Sequence, residues 1–336
     1  MNLEPSDEQV MLRDMVRRFL ADRDDAAAGS APICRDDWRA LGELGVLAFL
    51  LPERGGGIGG APQDAMIVAE ELGRALAITP FAESIMGAAD LIARHGTDDQ
   101  IARWVAPASA GDAVLALAVG EVTGRDGALS GRCDFARWAT EADAVVVIAG
   151  DAAHVVPADH AGMTITPARL ADCSPAATLA FEGCLGEPVP LSPGEADACL
   201  ALVQLGYAAE MVGAMELLYA QTLDYARQRK QFGVAIGAFQ VVQHKLARMF
   251  VLLEQARSML LKAGASPREA SGFVRGVLSA KAYVADAAQR LAEEAVQLHG
   301  GMGVTDELAV GRGLRRVVVL GRLFGSAEDA RQRLAA

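Results

Sequence analysis

Hydrophobic positions follow two different spacings, and the spacing changes twice along the chain. Up to about residue 106 the apolar side chains recur at steps of three and four, which is typical of helices with one buried face. Between residues 111 and 189 the apolar runs are short and are separated by Gly, Asp and Pro, which predicts a small antiparallel β domain. Beyond Pro193 long helical patterns return and predict a bundle of antiparallel helices. The order predicts an α+β fold that is mostly α.

These changes predict three domains: a helical domain over residues 1–110, a β domain over 111–190 and a helical bundle over 191–336. Ser6, with Gln9 three positions later, predicts a capping box at the start of the first helix. Further helices are expected at residues 63–75, 83–95 and 98–106. Strands are expected at residues 114–119, 144–148, 154–156, 163–166 and 178–181.

The composition narrows the class of partner. Of the 336 residues, 52% are hydrophobic and only 5% are aromatic, which is typical of helices that meet through small side chains. The net charge of −12 argues against nucleic acid or an anionic membrane as the general partner. An anionic ligand must therefore be held by a local cluster of basic residues.

The cysteines and the N-terminal residues indicate a cytoplasmic protein. The five cysteines are irregularly spaced and form no C-x-x-C pair, so we expect reduced thiols. The segment MNLEPSDEQV at the N-terminus is acidic and has no apolar core, so no secretion signal is predicted. No run approaches the roughly 18 apolar residues of a membrane helix, so we expect no membrane partner.

Residues 225–249, YARQRKQFGVAIGAFQVVQHKLARM, place basic side chains between two long helices. The first helix is expected to end near Arg229, and the interval from Gly233 to Gly237 breaks the pattern before the second helix begins. Guanidinium and amide groups at such a turn can bind a phosphate. The alternative, from these residues alone, is a helical hairpin whose arginines are only solvated.

A second helix end lies in QLHGGMGV, residues 297–304. Its glycines let the chain leave the helix in a left-handed conformation and can bring N–H groups close to a ligand. Gln297 adds an amide group one turn earlier. Alone this is a common helix cap, but together with the basic turn it can offer donors to one diphosphate.

Other familiar motifs are absent or lack their context. Residues 55–60 satisfy G-x-G-x-x-G, but helices follow where a dinucleotide-binding unit needs a second strand, so a loop between helices is the better interpretation. No G-x-S-x-G elbow, H-E-x-x-H motif or paired histidine spacing occurs. Neither a serine hydrolase nor a metal site is therefore predicted.

Taken together, these segments resemble the acyl-CoA dehydrogenase family along nearly the whole chain. The resemblance is strongest in YARQRKQFG (225–233) with Phe239-Gln240, in QLHGGMGV, and in WRALGELG (38–45) with EELGR (70–74). It implies a C-terminal four-helix bundle and FAD as the cofactor. In that family the corresponding residues bind the FAD diphosphate and adenosine of a neighbouring subunit. By resemblance those roles fall to Arg229, Phe232, Gln240, Gln297, Gly300 and Gly301.

The chain departs from the family at the catalytic base. By resemblance, the glutamate that abstracts the α-proton precedes a Gly-Thr or Gly-Ser pair, whereas here Phe324 precedes Gly325-Ser326. The other position used in the family, in the first helix of the C-terminal domain, holds Val203 beside Gln204, where an arginine is usual. Neither Phe nor Val can accept a proton. The family's T-E-P-x-A-G-S-D loop against the flavin ring is replaced by VGEVTGRD, residues 119–126.

This pattern resembles the short non-catalytic chains of bacterial heteromeric acyl-CoA dehydrogenases. The resemblance implies a heterotetramer in which a catalytic partner supplies the base and the flavin pocket, and this chain supplies FAD contacts. The implied reaction is α,β-dehydrogenation of an acyl-CoA, for example a bulky steroid side-chain thioester. Two alternatives stay open. One is a self-sufficient homomeric dehydrogenase that uses Glu328, Glu210 or Glu216 as base; the other is a flavin-free structural or interaction protein.

Overall fold

The computed structural model describes residues 5–21, 30–125 and 127–335, in which eleven α-helices and ten strands occur. The helices are α1 (Asp7–Ala21), α2 (Arg35–Glu43), α3 (Pro62–Arg74), α4 (Asp90–His95), α5 (Asp98–Gln100), α6 (Ala106–Ala110), α7 (Glu195–Gln228), α8 (Gln240–Gly264), α9 (Phe273–His299), α10 (Ala309–Arg322) and α11 (Ala327–Ala335). The strands are β1 (Leu115–Val119), β2 (Glu121–Arg125), β3 (Ala128–Arg137), β4 (Ala144–Ala149), β5 (Ala152–Pro157), β6 (Met163–Arg169), β7 (Pro175–Leu185), β8 (Glu187–Pro190), β9 (Lys230–Gln231) and β10 (Val234–Ala235).

The predicted α+β class, with helices, then sheets, then a helical bundle, is confirmed. The capping box expected at the start of α1 is also confirmed. The Gln9 N–H donates to Ser6 Oγ (3.2 Å), and the Ser6 N–H donates to Gln9 Oε1 (3.1 Å). The helix expected at residues 83–95 begins earlier. Its first part, Phe81–Ala89, is a π-helix that continues into α4.

Contacts group the chain into two compact units, each with its own core. One unit consists of residues up to 31, 66–77 and 204–336, and the other of residues 32–65 and 78–203. The domain boundaries expected near residues 110 and 190 stay a prediction.

The unit that contains residues 78–203 carries both four-stranded sheets. Their strand orders are β1-β4-β5-β8 and β2-β3-β7-β6. The expectation of a purely antiparallel domain is wrong for one pair, because β1 and β4 run parallel. A parallel pair needs a long crossover connection, and here β2 and β3, which belong to the other sheet, supply it. Inward-facing apolar side chains of both sheets, such as Val147 and Leu179, form one core.

The other unit is helical, and α9 packs against α8, α10 and α11. Within it α3 and α7 approach so closely that their backbones touch. A Cβ atom at Gly73 would lie 2.0 Å from the carbonyl oxygen of Glu210, and one at Gly213 would lie 1.9 Å from that of Glu70. Only glycine fits at such distances, so these two residues determine how the helices cross.

The long helix α7 is a core helix. By length and composition it could cross a membrane, but 94% of its most apolar window is buried inside the protein. Its apolar residues are therefore accounted for by packing. The five cysteines are free thiols, as expected.

Candidate functional site

The basic turn that follows α7 is a short hairpin with an exposed aromatic residue at its tip. Strands β9 and β10 pair through Lys230 and Gln231, and the two residues between them have left-handed φ angles, 53° at Phe232 and 85° at Gly233. Two-residue turns of this kind favour Asn-Gly. A phenylalanine there costs on the order of 1–3 kcal/mol of backbone strain. The Phe232 side chain is 92% exposed, so burial within this chain does not offset that strain.

The glycine turn after α9 is open to solvent. Gly300 has φ 65° and ψ −143°, a backbone region essentially restricted to glycine. A Cβ atom at Gly301 would have no atom within 4 Å, and both glycines are exposed. The Gly300 N–H donates to the carbonyl oxygen of Val296, and the absence of side chains at both glycines leaves the backbone of this turn open to close approach from outside.

A ring contact joins the ends of α7 and α9, which lie some seventy residues apart in the chain. The ring of Tyr225 stacks on the ring of His299, with centroids 4.3 Å apart. His299 Nδ1 lies 2.8 Å from the carbonyl oxygen of Ala295, and because a carbonyl only accepts, Nδ1 donates there. The two turns predicted to act together are thus held side by side.

Six residues of these turns form what we call the exposed cluster: Arg229, Phe232, Gln240, Gln297, Gly300 and Gly301. In the part of the chain that the structure describes, the side chains of Arg229, Gln240 and Gln297 have no hydrogen-bond or ion-pair partner. The neighbouring Arg227, by contrast, lies 3.3 Å from Asp224. The polar groups of the exposed cluster are therefore available to a group from outside the chain.

The first turn of α8 adds a positive potential to the exposed cluster. Gln240 is the first residue of this 25-residue helix, and no side chain caps its N-terminus. Helix N-termini present N–H groups and a partial positive charge, which suit a phosphate. A cation and amide donors are thus grouped beside a helix N-terminus.

A surface groove of about 1030 Å³ runs between α8 and α9 beside the exposed cluster. Gln297 lies in its wall, together with the basic residues Lys245, Arg248 and Arg290 and the exposed Val241. Lys245 is paired with Glu294, whereas Arg248 and Arg290 have no partner among the described residues. A groove with basic and apolar walls suits an elongated ligand that carries phosphates and a planar ring.

Comparison with known proteins identifies the family. The model described as "Acyl-CoA dehydrogenase, N-terminal domain" matches residues 6–112, and "Acyl-CoA dehydrogenase, C-terminal domain" matches residues 196–336. The acyl-CoA dehydrogenase IpdE2 of Mycobacterium tuberculosis is 30% identical over 99% of this chain and 98% of that protein. The chain belongs to the acyl-CoA dehydrogenase family.

Solved structures share the fold over nearly the whole length. A chain of the ChsE4-ChsE5 complex from Mycobacterium tuberculosis is 26% identical, with a TM-score of 0.90 over 100% of this chain and 98% of that one. A chain of a Tcur3481-Tcur3483 steroid ACAD variant is 24% identical, with a TM-score of 0.89 over 98% of this chain and 96% of that one.

Acyl-CoA dehydrogenases are FAD-binding flavoproteins, and the exposed cluster fits part of that cofactor. The Arg229 guanidinium, the amides of Gln240 and Gln297 and the N-terminus of α8 are donors of the kind that a diphosphate needs. The exposed Phe232 ring offers a flat apolar surface. These groups face away from this chain, which suits a cofactor shared with another subunit.

The two positions at which the resemblance predicts the family's catalytic base hold apolar side chains in this member of the family. The Phe324 ring stacks on Tyr207 with centroids 6.0 Å apart, and its φ angle is 51°. Val203 is fully buried, and a Cβ atom at Gly87 would lie 2.8 Å from its side chain. Neither position leaves a carboxylate to accept a proton.

The three alternative carboxylates are each paired with arginine. Glu210 is fully buried 2.5 Å from Arg316, and Glu216 lies 3.2 Å from both Arg74 and Arg257. Glu328 is exposed on α11 and lies 3.4 Å from Arg331. Each of the three carboxylates is thus already engaged by a guanidinium of this chain.

The segment that replaces the flavin-ring loop is not a loop here. Residues 121–125 form β2, which pairs with β3, and Asp126 lies outside the described residues. A Cβ atom at Gly120 would lie 2.6 Å from the carbonyl oxygen of Arg132, so the chain is tight against β3 at this point.

Sequence reasoning missed two residues in these regions. Phe135 is 62% exposed with a φ angle of 57°, at a register shift between β3 and β7. In the sequence, the only signal for Phe135 is that an aromatic residue stands among mostly polar neighbours. The second is Lys281, which lies on the buried face of α9 with no exposed surface.

Lys281 predicts a pH dependence of stability. Burial lowers the pKa of its amine from 10.5 to about 7. Between these two values the unfolded chain binds more protons, so the free energy of unfolding rises with pH by at most about 1.4 kcal/mol per pH unit from this group. Below pH 7 the buried amine is charged, and the full cost of burying that charge lowers the free energy of unfolding.

In Lys281→Met we expect this rise of the free energy of unfolding with pH to disappear. Urea unfolding of both proteins at pH 7, 8 and 9 measures the difference, and parallel curves would contradict it.

Proposed function

We propose that this chain is a subunit of an FAD-dependent heteromeric acyl-CoA dehydrogenase that contacts FAD but supplies no catalytic base. The observation that carries the proposal is the combination of an outward-facing, unpaired cofactor cluster with an aromatic ring where the base should be. A complete site then requires a second chain. This division explains why the diphosphate donors are present while the proton acceptor is absent.

Each residue has a definite part in this proposal. Arg229, Gln240 and Gln297 bind the FAD diphosphate and adenosine of the partner's site, and Gly300 and Gly301 let the backbone approach them. Phe232 packs against the cofactor or the partner. Bound FAD would supply the acceptor for the hydride from the β-carbon of the thioester, and a carboxylate of the partner subunit would accept the α-proton. The proposed complex is a cytoplasmic heterotetramer.

A bulky acyl-CoA is the proposed substrate class. One structure with this fold is a chain of a Tcur3481-Tcur3483 steroid ACAD variant. Another is a chain of the ChsE4-ChsE5 complex. Two chains that each keep half a site provide one site per pair and more room for a large acyl group.

Co-expression with the product of an adjacent acyl-CoA dehydrogenase gene tests the assembly. The proposal predicts that the two chains co-purify in equal amounts with bound flavin. Failure to co-purify with any such partner would contradict it.

Phe232→Asn separates folding from assembly. Asparagine tolerates the left-handed conformation and the ring is 92% exposed, so the urea midpoint of the isolated chain should stay the same or rise slightly. Flavin retention in the complex should fall at least about tenfold, because the ring would lose its contact there. A destabilised isolated chain with unchanged flavin retention would show that the ring serves only this chain's own fold.

The homomeric alternative rests on a relocated base and can be tested directly. Glu328 is the candidate nearest in sequence to Phe324, but it is exposed and paired with Arg331. We expect Glu328→Gln to leave the acyl-CoA oxidation rate of the assembled complex unchanged, whereas loss of a true base costs at least about a hundredfold. A loss of that size, with flavin content intact, would favour the homomeric enzyme.

A further inference from the structure

The turn between α10 and α11, residues 323–326 (the Phe324 turn), combines several energetically costly features. Phe324 and Gly325 both have left-handed φ angles, 51° and 104°. Lys281 is fully buried beside it, and Gln204 is only 3% exposed. Among the described residues, Gln204 Oε1 has no hydrogen-bond partner. Strain and buried polar groups that coincide at one turn indicate a functional constraint on its geometry.

Hydrogen bonds from two other helices hold the backbone of this turn. Lys281 Nζ, on α9, donates to the carbonyl oxygens of Leu320 at 2.6 Å and Leu323 at 3.3 Å. Gln204 Nε2, on α7, donates to the carbonyl oxygen of Phe324 at 2.6 Å. The last carbonyls of a helix have no partner within it, so these donors satisfy the end of α10 and fix the residues that follow.

The same lysine also contacts the ring that supports Phe324. Lys281 Nζ lies 5.4 Å from the centroid of the Tyr207 ring, and that ring stacks on Phe324 at an interplanar angle of 18°. On the other side, the Ser326 N–H donates to Asp329 Oδ2 at 2.7 Å, which starts α11. The turn is therefore fixed from both sides through its backbone, and none of these hydrogen bonds involves the side chain at position 324.

We infer that Lys281 and Gln204 are positioning residues whose hydrogen bonds to the backbone hold a non-glycine residue at position 324 in a left-handed conformation. This inference rests on the proposed function in taking position 324 as that of the missing base. The chain has then lost the carboxylate but kept the rigid backbone that presents a side chain there.

Amide hydrogen exchange of the isolated full chain tests this inference without flavin or partner. In Lys281→Met we expect amides 323–327 to exchange at least tenfold faster, with the other helices unchanged. Gln204→Met, which leaves the buried amine in place, should have the same local effect and replaces the first variant should that one not fold. Because glycine adopts positive φ freely, the effect of Lys281→Met should fall below threefold in a Phe324→Gly background.

Two outcomes would overturn the inference. One is unchanged exchange at residues 323–327 in both single variants. The other is an equal acceleration throughout the helical unit that Phe324→Gly does not reduce, which would make Lys281 and Gln204 ordinary core residues. A missing partner or cofactor cannot produce either outcome, so the test is separate from that of the proposed function.

Discussion

Gly213→Ala is expected to lower the free energy of unfolding by about 3 kcal/mol or more. The new Cβ atom would lie 1.9 Å from the carbonyl oxygen of Glu70 and 2.7 Å from the nitrogen of Arg74. Both are backbone atoms of α3, so no side chain can rotate away to relieve the contact. The helices α3 and α7 would have to separate, which would also open the similarly close packing at Gly73.

Gly321→Ala is the matched control, because Gly321 is also a buried glycine in a helix. Its nearest neighbour would be the Ala285 Cβ atom at 3.6 Å, an ordinary van der Waals distance. Alanine is the better helix former, so this change should raise the free energy of unfolding by about 0.5–1 kcal/mol. Urea unfolding of the three proteins measures both effects. Changes of the same sign in the two variants would contradict the close crossing of α3 and α7.

Arg229→Met is expected to weaken flavin binding by the assembled complex about a hundredfold, since it removes a charged donor to a diphosphate. The side chain is exposed and has no partner among the described residues, so the fold of the isolated chain should be unaffected. Flavin retained after dialysis and the circular dichroism of the isolated chain provide the two measurements.

Arg227→Met controls for the loss of one positive charge in the same region. Arg227 is exposed, two residues away and already paired with Asp224 at 3.3 Å. Its removal should change flavin affinity less than threefold. If both variants lost flavin equally, general electrostatic attraction would explain the binding, and a specific contact from Arg229 would be excluded.

Local patterns in the sequence predicted the order of helical and β segments and the ends of the two helices at the exposed cluster, whereas β2, β3 and β8 were not predicted. The basic turn was expected after a helix ending near Arg229, and α7 ends at Gln228. The glycine turn was expected at Gly300, and α9 ends at His299. Helical periodicity and glycine punctuation act over a few residues, so one sequence is enough to read them.

Contacts between distant segments could not be predicted in this way. The parallel pairing of β1 with β4 depends on β2 and β3 joining the other sheet, which alternation of apolar residues does not specify. The pairing of Glu210 with Arg316 joins residues more than a hundred positions apart. Lys281 is one charged residue among the mostly apolar buried residues of α9, and only the fold shows that its amine meets the end of α10.

The proposed function requires that this chain completes a partner's site and has no active site of its own. Acyl-CoA-dependent reduction of an electron-accepting dye tests it most directly, with bound flavin recorded by its visible absorbance in the same samples. The chain is assayed alone and after co-purification with the product of an adjacent acyl-CoA dehydrogenase gene. The thioesters range from butyryl-CoA to a steroid side-chain CoA. We predict neither flavin nor dye reduction for the chain alone, and both for the complex. Flavin and acyl-CoA oxidation by the chain alone would contradict the proposed function.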